Sequence, residues 1–129
     1  LCKGLIDLCP KDGVRSGLAD LKTAASGDPA DWPRYVFNMR LHWQAAMYLD
    51  LWNRATGEDL QDFFHIVSEQ EPPHEPSMLA LSRDFVVLGR DQYRAALRRY
   101  AECEEKDEWP GYPLNTVIEP EKWMRSRSE

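Results

Sequence analysis

Asp7, Asp20, Lys22, Gln44 and Tyr48 are of the types, and in the order, that phosphodiester hydrolysis at a divalent metal calls for. In an extended strand residues i and i+2 share a face with Cα atoms about 6.5–7 Å apart, so Asp20 and Lys22 point the same way and Leu21 points oppositely, into the core. If Gly4-Leu5-Ile6-Asp7 belongs to the neighbouring strand, Asp7 brings a second carboxylate to the same place, where the mutual repulsion of two acids favours a bound cation. Magnesium suits such a site because it prefers hard oxygen ligands, keeps several waters and takes only one or two protein carboxylates. Lys22 is then placed to orient or help deprotonate a water and to offset charge building on a phosphate. Gln44 and Tyr48, four residues apart on one side of a helix, can hydrogen-bond to the lysine, a metal-bound water or a phosphate. Taken singly these are weak signals, since an Asp-x-Lys triplet is most often a solvated strand.

Two strands and a helix have to bring these side chains together. Residues 1–8 and 17–23 read as strands joined at Pro10-Lys11-Asp12-Gly13, whose glycine permits positive φ, so a hairpin is expected. Asp28 followed by Pro29 predicts a short helix running to about Met39, because proline's missing N–H costs nothing in a first turn. Residues 41–55 predict a longer helix, apolar on nearly every side and therefore buried between layers, which Gly57 ends. Residues 60–68 and 78–81 read as strands, separated by the helix breakers Pro72, Pro73 and Pro76. The strongest helical periodicity lies over 84–105, with Phe85, Leu88, Tyr93, Ala96, Leu97 and Tyr100 on one side. Arg90, Arg94 and Arg98 form a stripe elsewhere on that helix, read as a solvated face, with contact to DNA or to another subunit as the alternative. An extended piece near 116–118 and a last turn around Trp123 complete the chain.

With 129 residues, 43% of them apolar, the chain can bury one core and is too short for two ordinary domains, so 1–129 is expected to be a single domain. It starts at Leu1, without an initiator methionine, in what reads as a strand, which suggests a partial domain. Its net charge of −6 argues against a protein that coats nucleic acid indiscriminately. The acids cluster late, however, and the first 54 residues carry seven Lys/Arg against six Asp/Glu. Cys2, Cys9 and Cys103 form neither a CxxC pair nor an even set, which points to reduced thiols and a cytoplasmic location. No apolar run reaches the roughly 18 residues of a membrane span, and these residues show no basic start followed by a short apolar core of the kind that marks a secretory signal. His42 reads as structural or phosphate-contacting, His65 as a sheet-surface residue and His74 as a solvated loop residue. The tryptophans, spread over helices and tail, read as packing residues more than as base-stacking ones.

Asp7, Asp20-x-Lys22 and Gln44-x-x-x-Tyr48 resemble motifs II and III and the RecB-type helix motif of the PD-(D/E)XK nuclease superfamily. The runs Ala19-Asp20-Leu21-Lys22-Thr23-Ala24 and His42-Trp43-Gln44-Ala45-Ala46-Met47-Tyr48, with Gly89-Arg90-Asp91-Gln92-Tyr93 through Glu108-Trp109-Pro110-Gly111-Tyr112, resemble the RecE-like phage recombination exonucleases, the exodeoxyribonuclease VIII family. That resemblance implies an α/β, restriction-endonuclease-like core with a mixed central sheet flanked by helices. It also implies Mg²⁺-dependent (Mn²⁺ substituting) 5′-to-3′ digestion of linear double-stranded DNA with a free end, a single-strand annealing partner and a ring-shaped homo-oligomer. Carried over by position, Asp7 and Asp20 look like metal ligands, the Leu21 carbonyl like a third, Lys22 like the catalytic lysine, and Gln44 and Tyr48 like supporting active-site residues. The family's first motif, an acidic residue or histidine on an upstream helix, has no counterpart before Leu1. A RecB-like nuclease module of another DNA-processing complex, or a catalytically degenerate DNA-binding or assembly module of the same fold, are the alternatives.

Overall fold

The computed structural model describes residues 2–9 and 17–122, in which β1 (Gly17–Ala24) is followed by α1 (Trp32–Asn38), α2 (Leu41–Thr56), β2 (Asp62–Glu69), β3 (Pro76–Ala80) and α3 (Arg83–Lys106). The strands form one mixed sheet in the order β1-β2-β3, with β1 and β2 parallel and β2 and β3 antiparallel. A parallel pair needs a long crossover, which α1 and α2 supply, whereas the antiparallel pair is joined through the proline-rich 70–75 turn. Pro76 opens β3 at the sheet edge, where its missing N–H disturbs no ladder. Gly57, at φ 77°, caps α2 in the left-handed conformation that glycine adopts without strain.

The register sets Leu18 beside Phe63, Asp20 beside His65 and Lys22 beside Val67. Onto this face α2 lays Ala45, Ala46 and Leu49, and Val86 of α3 closes the same cluster. A second cluster joins Ala24 and Val67 to Trp32 and Val36 of α1. Small side chains let these backbones approach closely. The tightest approach is at Gly89 of α3, where a Cβ would lie 2.0 Å from the carbonyl oxygen of His42. Backbone cannot yield as a flexible side chain does, so Gly89→Ala should force α2 and α3 apart and cost about 2 kcal/mol, read as a lower urea midpoint at unchanged m-value.

Several expectations change. Leu21 does not enter the core: it is 57% exposed, and Asp20, at 3%, is the enclosed residue. The helices cover the face of Leu18, Asp20 and Lys22, so Leu21 stands on the other face, in register with Ile66 and Met78. Residues 2–9 form no strand, and the expected hairpin reduces to one antiparallel bridge between Leu8 and Ala19. The 10–13 turn and the Trp123 turn lie outside the described residues. The first helix begins at Trp32, not Pro29, because the Asp28 carboxylate accepts the Ala30 N–H at 2.8 Å and its carbonyl accepts those of Asp31 and Trp32, closing a turn first. Residues 116–118 carry no strand. No helix among the described residues is long and apolar enough to cross a membrane.

Candidate functional site

Strand alternation organises the site. Ala19 uses both its N–H and its C=O on Leu8, at 3.0 and 3.1 Å, so the backbone groups of Leu21, two residues on, face the same open edge of β1. There the Leu21 N–H donates to Asp7 Oδ2 at 3.0 Å, which holds the exposed Asp7 carboxylate against the strand. The Leu21 carbonyl faces the same edge. Asp20 projects from the enclosed face and forms an ion pair with the Lys22 ammonium. Burial raises the Asp20 pKa, and the neighbouring Asp7 carboxylate pushes in the same direction against the opposing pull of Lys22.

A buried carboxylate next to a second acid is the arrangement that gains most from a divalent cation. Two carboxylates and an edge carbonyl are also hard oxygen donors of the kind magnesium accepts. Among the described residues no group of three or more His, Cys, Asp or Glu side chains could hold a metal, so the fit rests on Asp7, Asp20 and the Leu21 carbonyl alone.

Gln44 and Tyr48 share one side of α2, with Gln44 Nε2 donating to the Tyr48 hydroxyl at 3.3 Å. A Cβ on Gly4 would stand 2.7 Å from the Tyr48 ring, so the segment that carries Asp7 rests directly on this tyrosine. Neither side chain hydrogen-bonds to Lys22, Asp20 or Asp7 among the described residues. The structure thus brings Asp7, Asp20 and Lys22 together, and sets Tyr48, to which Gln44 is hydrogen-bonded, against Gly4 of the segment that carries Asp7.

Three histidines resolve differently. His42 is fully buried and structural, its ring nitrogens 3.3 Å from the Val36 carbonyl and 2.8 Å from Gln92 Oε1. His74 is exposed in its loop. His65 is not a sheet-surface residue: it is fully enclosed, and burial, with Lys22 pushing the same way, holds its pKa at about 4. The signal was present as parity. Phe63, His65 and Val67 alternate onto one face, which in parallel register with β1 is the face of Asp20.

The arginine stripe is also more than a solvated surface. Arg90 Nε donates to Asp50 Oδ1 at 2.9 Å, Arg94 to Oδ2 at 2.8 Å, and the Tyr93 hydroxyl to Oδ2 at 2.5 Å. Although burial would raise the Asp50 pKa, these donors outweigh it and hold the carboxyl below the ordinary range. Asp50 therefore ties α2 to α3. Asp50→Ala should cost about 1–2 kcal/mol at neutral pH, and the wild-type tie should weaken only as pH falls below about 4, through the lowered pKa. A thermal melt series from pH 3 to 7 checks both.

The sequence matches, over residues 1–116, the family model of a PDDEXK-like domain of unknown function (DUF3799). No curated protein matches it. Among solved structures, a “Putative exonuclease” from Eubacterium rectale superposes with a TM-score of 0.60 at 17% identity, covering 87% of this chain and 47% of that one. The chain thus spans about half the length of that protein, and at this identity the likeness is one of fold alone, an α/β core. By its match over nearly its whole length, this chain belongs to the PDDEXK-like domain family DUF3799.

Proposed function

We propose that this domain is a divalent-metal-dependent deoxyribonuclease, acting as a 5′-to-3′ exonuclease on linear double-stranded DNA. The observation that carries it is the meeting of Asp7 with the Leu21 amide beside the Asp20–Lys22 ion pair, within a chain of PDDEXK-like type. Asp7, Asp20 and the Leu21 carbonyl would hold Mg²⁺, with Mn²⁺ able to substitute; the ion would supply a bound water of lowered pKa and polarise a phosphate oxygen. Lys22 keeps an ammonium beside Asp20, where it offsets charge building on the phosphate and orients the attacking water. The buried side of Asp20 excludes bulk water, which strengthens each of these interactions. The Gln44 amide and the Tyr48 phenol steady the Asp7 segment and the phosphate.

Digestion polarity, a ring-shaped homo-oligomer, a single-strand annealing partner and a cytoplasmic setting rest on resemblance to RecE-like exonucleases, joined for the last by three free cysteines. Linear duplex labelled at the 5′ or the 3′ terminus, incubated with the protein and Mg²⁺, tests the assignment. Early release of the 5′ label is expected. Release of neither label with Mg²⁺ or Mn²⁺, together with no heat on Mn²⁺ titration, would instead mark a module that keeps the fold and does not cut.

A further inference from the structure

Behind the Asp20–Lys22 pair lie two buried polar side chains that no step above uses. His65 is fully enclosed, and neither Nδ1 nor Nε2 has a hydrogen-bond partner among the described residues. Trp32 is 4% exposed, and its indole N–H is likewise without a partner among them. The two rings meet edge to face with centroids 5.9 Å apart, and Phe63 holds the imidazole at 5.4 Å, so the ring is clamped between aromatic neighbours. The parallel register sets His65 directly beside Asp20, and the imidazole lies within reach of the Lys22 charge.

A neutral imidazole offers one donor and one acceptor, and an indole one donor. Buried polar groups in native proteins are almost always paired, and where no side chain reaches them the usual partner is an internal water with two to four polar contacts. A single water enclosed among these groups would find complementary partners. It can accept from the Trp32 N–H and from a Lys22 proton not engaged by Asp20, and it can donate to the imidazole acceptor and to the Asp20 carboxylate.

We propose that His65 and Trp32 hold an internal water that reaches the Lys22–Asp20 pair, which makes His65 a positioning residue for the Lys22 ammonium. The positioning role rests on the reading of Asp20 and Lys22 as the reacting site; the water site does not.

Isotope-labelled protein provides the test through water cross-relaxation at the Trp32 indole proton and the Lys22 Nζ resonance. The wild type should show a water cross-peak at that proton. His65→Phe keeps a ring of similar size and removes both nitrogens; it should abolish the cross-peak and shift the Lys22 resonance. In cleavage assays it should lower kcat about tenfold with KM within about twofold, and His65→Asn should recover part of the loss. In a Lys22→Ala background His65→Phe should have no further effect. Should His65→Phe fail to fold, Trp32→Phe, which removes the indole donor and with it the probed proton, carries the Lys22 measurement and should shift that resonance. A wild type without the cross-peak, or a His65→Phe protein with an unmoved Lys22 resonance and wild-type kcat, overturns the proposal. If the wild type cleaves no DNA the nuclease assignment fails on its own, while the cross-peak and the Lys22 resonance still decide the water site.

Discussion

Lys22→Ala and Asp20→Asn should each lower the rate of DNA cleavage by about 10²–10³, while moving stability in opposite directions. On the proposed function, Lys22→Ala removes the ammonium that would offset charge in the transition state and Asp20→Asn removes a proposed metal ligand, so the loss should appear in the single-turnover rate constant with saturating Mg²⁺. The stability difference follows from burial. Asp20 is 3% exposed, and burial together with the Asp7 carboxylate raises its pKa above the ordinary value. A carboxyl raised in the folded state favours folding below its unfolded pKa and opposes it once pH passes the folded pKa. At neutral pH the ionised Asp20 therefore weakens the fold, and Asp20→Asn should melt at a higher temperature than the wild type. Lys22→Ala removes the ammonium that compensates this carboxylate and should melt lower. A protein whose Asp20→Asn form cut DNA at the wild-type rate would have its reacting site elsewhere.

Acidification from pH 7 to 4 should cost the fold about 3 kcal/mol through His65 alone. Its pKa falls from 6.5 to about 4 on folding, because burial disfavours the imidazolium and Lys22 repels it. Between those values the unfolded chain binds a proton that the folded chain refuses, so stability declines as pH falls through this window, at about 1.4 kcal/mol per unit. Asp20 acts in the opposite sense over part of the range, since its raised pKa lets it take up a proton more readily when folded. His65→Phe separates the two. Urea titrations at pH 7, 6, 5 and 4 should show a steep fall in midpoint for the wild type and a much flatter series for the variant. Equal slopes in both proteins would remove His65 as the cause.

Local patterning carried much of this molecule. Helical periodicity over 41–55 and 84–105 and the glycine stop at 57 were legible because backbone preference and side-chain period are properties of contiguous residues. The strand parity that aims Asp20 and Lys22 the same way is equally local, and the ion pair between them follows from it. The order of Asp7, Asp20-x-Lys22 and Gln44-x-x-x-Tyr48 likewise sufficed to indicate a PD-(D/E)XK-like domain, the type whose family model the chain matches.

Which face of β1 the helices would cover was not local. Leu18 and Leu21 lie on opposite faces and both are apolar, so the pattern within the strand left the choice open; packing of α2 and the pairing of β1 with β2 enclosed Asp20 and exposed Leu21. The same long-range pairing turned His65 from an apparent surface residue into a buried neighbour of Asp20 across 45 positions of sequence. Arg90 and Arg94 became ties to Asp50 only because Gly89 lets α3 touch the backbone of α2. Periodicity sets the directions in which side chains leave an element, but the charge, burial and partner that each one meets come from segments far away in the chain, and only tertiary packing brings these together.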